Sequence, residues 1–117
     1  MEKIPELTRL IRTDEGPYWS RLRELLWDKK IDPSQTALAV SFENDENCEY
    51  GVLVTADERV VEFEVIWPDG ATGDGVLGMW VDITTNWSRH GFAADIEWTL
   101  SFVREEGLES AARDGGE

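Results

Sequence analysis

Much of what usually carries chemistry is scarce in this chain. Its 117 residues include one cysteine, Cys48, and one histidine, His90. A lone thiol cannot form an intramolecular disulfide, and the opening MEKIPELTRLIRTDEG lacks the apolar core of a secretion signal, so a reducing, cytoplasmic setting is expected. No apolar run approaches the roughly 20 residues that cross a bilayer, and a net charge of −14 is repelled by anionic headgroups. Membrane association is therefore not expected. Lysine and arginine are absent from residues 60–88.

Sequence signatures of catalysis are missing too. His90 stands in TTNWSRHGF with no nucleophile-elbow motif elsewhere, so it reads as a surface or capping residue. Cys48 lies in ENDENCEY, where neighbouring carboxylates disfavour the thiolate. Asp45, Asn47 and Glu49 alternate as in a calcium loop, but Tyr50 and Ala56 stand where that loop requires glycine and glutamate. DGATGDG lacks the lysine of a phosphate-cradling loop, and its aspartates repel phosphate. Paired carboxylates on an open sheet face lack the cleft that excludes water from a reaction. Neither enzymatic turnover, a metal nor a cofactor is expected.

What is present is an acidic, aromatic chain of one-domain size. Six Trp, four Phe and two Tyr supply large buried areas, and a chain of this length folds without staples. The charge is uneven: residues 1–30 hold seven basic and six acidic side chains, whereas residues 31–117 hold four basic and nineteen acidic. Such a field repels nucleic acid and draws in basic surfaces.

Leu7, Leu10 and Ile11 fit a short first helix. A second is predicted over 17–30, where Tyr18, Leu22, Leu25 and Leu26 share one stripe, Pro17 suits the first turn, and Lys29 and Lys30 complement the dipole at the end. The period then changes from 3.6 to 2. Strands are expected at 36–42, with Leu38, Val40 and Phe42 on one face, and at 50–55. A third runs through VVEFEVIW (60–67), with Val61, Phe63, Val65 and Trp67 opposite Glu62 and Glu64. After a Pro/Gly loop at 67–75, a fourth at 76–84 turns Leu77, Met79, Val81 and Ile83 inward. Alternation in AADIEWTLSF predicts a fifth strand at 93–102, and residues 107–117 read as a frayed polar tail.

The expected architecture is one α+β domain over 1–106. In it the helix at 17–30 packs on one face of a mostly antiparallel four- to five-stranded sheet, and the other face is open to solvent. Pairing in order gathers Glu62, Glu64, Trp80, Asp82, Asp95 and Glu97 on that open face, an unneutralised acidic patch around one aromatic. This predicts a binding surface for a basic protein partner. The expected role is that of a bacterial-type immunity protein or inhibitor that occludes a nuclease-type toxin active site, with Trp80 as anchor. The alternatives are a nucleic-acid mimic that blocks a restriction or CRISPR effector, and a ligand binder or enzyme using Trp87, Arg89 and His90.

Overall fold

A computed structural model describes residues 3–45, 47–68 and 74–115, with side chains described at 4–44, 47–68 and 74–107. Most of the expected 67–75 loop therefore lies outside the described residues. In chain order the elements are α1 (Lys3–Thr13), α2 (Pro17–Asp28), β1 (Ala37–Asp45), β2 (Cys48–Val54), β3 (Val60–Ile66), β4 (Val76–Asp82) and α3 (Ala93–Gly115). Short 3-10 turns at Pro33–Gln35 and Trp87–Arg89 lead into β1 and α3. The strands pair antiparallel in sequence order. This is the α+β, two-layer arrangement expected from the sequence, with N-terminal helices against one face of an antiparallel sheet.

Helix α2 forms where its apolar stripe predicts it, burying Leu22, Leu25 and Leu26. Pro17 opens it, and its end is defined by backbone geometry. Lys30 adopts a left-handed φ of 62°, its amide donates to the Trp27 carbonyl and that of Ile31 to the Leu26 carbonyl. This reciprocal pair is a Schellman stop, completed by burial of Ile31 in the same cluster as Leu26. Helices α1 and α2 bring Ile11, Leu22, Leu25, Leu26 and Ile31 onto Leu38, Leu53, Val61, Phe63, Val65 and Trp67. Each fully buried aliphatic or aromatic side chain here contributes about 1.5–3 kcal/mol relative to exposure. The Phe63 ring packs against its strand neighbour Gly51, where an added Cβ would sit 2.5 Å from it. Glycine is therefore required there.

The outer edge of β1 is occupied by α1. The buried amide of Leu38 donates to the Thr8 hydroxyl at 3.1 Å, so that edge group is satisfied inside the fold. Arg12 forms a two-pronged bridge to Glu106, both contacts at 2.8 Å, and joins α1 to α3 past that edge.

Residues 93–102, expected as a strand, are the start of α3. Ile96, Leu100 and Val103 follow helical spacing and are buried against Val40, Val52, Val54 and Val60, together with Thr99, whose hydroxyl donates to the Asp95 carbonyl. Trp98, counted as inward in the strand reading, is exposed on the helix. The same helix continues to Gly115, within the stretch expected as a tail, whose last two residues lie outside the described ones. The face expected to be open is thus roofed by α3 over β1 and β2.

Two irregularities also redirect side chains. A bulge at Ala39 in β1 places Leu38 towards α1 and α2 but Val40 and Phe42 towards α3, where one face was expected for all three. The extra residue Gly78 in β4 lies between Leu77, paired with Val65, and Met79, paired with Glu64. Leu77 therefore faces α2 while Met79 and Val81 share the face of Glu64 and Glu62.

Candidate functional site

α3 lies over β1 and β2 and reaches β3 only at Val60, so the part of that face from Glu62 to Ile66 and from Val76 to Val81 is left largely bare. In register across it lie Tyr50, Glu64 and Met79 in one row, Val52, Glu62 and Val81 in the next, and Cys48, Ile66 and Val76 at the end. Phe42, Ile66, Val76 and Val81 are 40–46% exposed, high for large apolar side chains gathered on one surface. Strand alternation puts both glutamates here, as the sequence predicted. The Cys48 thiol donates to Glu64 Oε2 at 2.9 Å.

Where the bare half meets the roof, three polar side chains converge. The Tyr50 hydroxyl donates to Glu62 Oε2 at 2.7 Å, and His90 Nε2 lies 2.7 Å from the same oxygen and 3.0 Å from the hydroxyl. His90 Nδ1 accepts the Phe92 amide at 3.1 Å, which places the proton of the neutral ring on Nε2, directed at Glu62. Both ring nitrogens are thereby committed, so the arrangement is a clasp that holds the 87–92 segment on the sheet. Phe42, Tyr50 and Phe92 stack beside it at centroid separations of 5.2–6.1 Å.

Electrostatics follow from these contacts. Burial pushes the Glu62 carboxyl up, but the hydrogen bonds from His90 and Tyr50 outweigh it and hold the group below its usual range. Burial, then the hydrogen bond to Glu62 and the charges of Glu62 and Glu64, push the Tyr50 phenol well up, so it remains a donor.

The other predicted site residues stand elsewhere. Trp80 and Asp82 share the face of Val61 and Phe63, opposite the glutamates, because Gly78 shifts the register of β4. Trp80 packs beside Phe63, with Lys29 Nζ 5.4 Å from its ring centroid. Asp82 accepts from the Thr84 amide and hydroxyl, which hold its carboxyl low. Asp95 sits in the first turn of α3, where a carboxylate complements the helix dipole, and Glu97 is exposed on the same helix. Of the six, only Glu62 and Glu64 share the bare surface.

Sequence reasoning missed the Tyr50–Glu62–His90 clasp. Its one signal was that Tyr50 and Glu62 have matching strand parity; His90 arrives from a loop whose path no pattern encodes. Among the described residues no group of three His, Cys, Asp or Glu side chains is placed to hold a metal ion. Of the other predicted loop residues, Trp87 packs against the α3 cluster and Arg89 is exposed. Comparison with protein-family models, curated proteins and solved structures finds no match for this chain.

Proposed function

We propose that this protein is a small acidic inhibitor that neutralises a basic protein partner, in the manner of an immunity protein occluding a nuclease-type toxin active site. One observation carries this reading: half of one sheet face is left bare, with exposed Ile66, Val76 and Val81 around Glu62 and Glu64, and the chain from 60 to 88 contains no basic residue. An enzyme that holds phosphates presents lysines and arginines, which carboxylates capture quickly, while apolar neighbours slow release. Relative to the sequence expectation, the anchor role passes from Trp80 to the aliphatic residues of β3 and β4.

The test is capture from the native host at low salt, comparing the wild-type protein with Glu64→Lys and Val81→Lys. A basic protein retained at low salt, released steeply by added salt and lost with both variants would support the reading. Equal retention by both variants would remove this face from consideration.

The clasp favours a second reading, a ligand binder or enzyme around His90. Because Nε2 faces Glu62 and Nδ1 accepts the Phe92 amide, turnover would require the clasp to open. A turnover abolished by His90→Ala in a folded protein would establish it. Nucleic-acid mimicry has less support, since two carboxylates on this face make a short row.

A further inference from the structure

Among the described residues the outer edge of β4 is the one left unpaired, and its chemistry differs from that of the opposite edge. β4 is last in the strand order, and no strand or helix pairs with its outer side among the described residues. At the opposite edge, α1 and the Thr8 hydroxyl already engage β1.

Hydrogen-bond alternation identifies the free groups. The Ile83 amide donates to the Val60 carbonyl, so Ile83 points its main chain at β3. In an antiparallel ladder the direction alternates, which turns the N–H and C=O of Asp82 and Trp80 outwards. Exposed edges are normally blunted by lysine, proline or a bulge. VLGMWVD has neither lysine nor proline, and its bulge at Gly78 lies towards one end, leaving Met79–Asp82 regular.

On the reading proposed above, we propose that β4 is a docking strand. An extended segment of the basic partner adds to it as a fifth strand, pairing its main chain with Trp80 and Asp82. Its basic side chains lie on the glutamate side. From the added strand to β3 is about 9.6 Å, two strand spacings, a gap that a long basic side chain and a glutamate span together across Met79 and Val81. On the other side of β4, Lys29 over Trp80 disfavours basic groups beside that residue, and the Asp82 carboxylate on the same side is already held by the Thr84 amide and hydroxyl. Charge selects the occupant: a second copy of this chain brings another net −14, whereas a strand of alternating apolar and basic residues brings the complement.

The probe is a short blocked peptide alternating lysine with valine, together with two controls. One carries N-methyl groups at alternate residues, which leaves the side chains and removes main-chain donors; the other replaces lysine with glutamate. The readout is amide hydrogen exchange and chemical shift in the intact protein at low salt. The lysine peptide is expected to slow exchange at Trp80 and Asp82 on the order of tenfold, and neither control should do so. Binding that shifts Glu64 and Val81 but leaves those two amides unprotected, or that survives N-methylation, overturns strand addition while leaving the face reading intact. Equal protection by the glutamate peptide overturns the charge selection. Self-association that protects the same amides without peptide assigns the edge to a second copy and overturns the proposal. Absence of any binding also overturns it, and the capture comparison with Glu64→Lys then decides the face reading separately.

Discussion

The two faces of this sheet handle the same problem in opposite ways. Beneath α1 and α2, residues from β1, β2 and β3 form a closed apolar layer from Leu38 to Trp67. On the other face α3 covers β1, β2 and the Val60 end of β3 and leaves the rest of β3 and β4 largely to solvent. Polar groups follow suit. On the closed side the Tyr18 hydroxyl is buried with no partner among the described residues, its ionisation suppressed first by burial and then by the nearby Glu49 and Cys48. At the border of the open side, Tyr50, Glu62 and His90 satisfy one another. Both faces thus carry a buried cluster, and the difference lies in the outer part of β3 and β4, which only the α1 and α2 side covers.

The sharpest way to break this contrast is to truncate one side chain on each face. Phe63→Ala should cost about 3–5 kcal/mol in chemical denaturation, because a buried aromatic leaves a cavity over Gly51. Val81→Ala, on the bare half, should stay within about 0.5 kcal/mol. Comparable losses would mean that the bare half is part of the core. Next in size is the edge contact. Thr8→Val keeps the shape but leaves the Leu38 amide without its acceptor, and should cost about 1–3 kcal/mol by thermal melting.

Glu62→Gln probes the border and should cost about 0.5–1.5 kcal/mol at neutral pH. The sign of its pH dependence follows from the carboxyl being held low in the folded state. The stabilisation is fully present above the unfolded-state value and is lost as pH falls through the lower folded one. Urea melts across the acid range should therefore be less steep for the variant than for wild type. The smallest effect lies at Glu49, raised by burial, lowered in part by the Ser41 hydroxyl and raised again by Glu43 directly opposite on β1. For a raised carboxyl, ionisation opposes folding. Glu49→Gln should thus stabilise by a few tenths of a kcal/mol at neutral pH, a gain that vanishes in acid where Glu49 is protonated.

How much of this was legible in the sequence follows from what periodicity can encode. The stripe Leu22–Leu25–Leu26 and the alternation of Val61, Phe63 and Val65 each bury one side, so α2 and β3 were readable directly. Bulges are not encoded that way. One extra residue at Ala39 or Gly78 reverses every side chain beyond it, and this removed Trp80 and Asp82 from the predicted patch. In AADIEWTLSF the even-numbered apolar positions alternate as in a strand, yet Ile96, Leu100 and Val103 are also one helical stripe. The helix prevails because those three meet Val40, Val52 and Val54, and Trp98 is left outside. The clasp was beyond reach because His90 is brought to Glu62 by tertiary packing alone.

The engagement of β1 by α1 sets a limit on assembly. A sheet with pairing groups free at both ends can be strung copy upon copy into a fibre. Here the Leu38 amide already has its partner in Thr8, so growth in that direction would first require a helix to leave. On the strand-addition proposal the molecule is monovalent as a template: among the described residues β4 offers the one unpaired edge, so two copies meeting there would close a pair rather than begin a fibre.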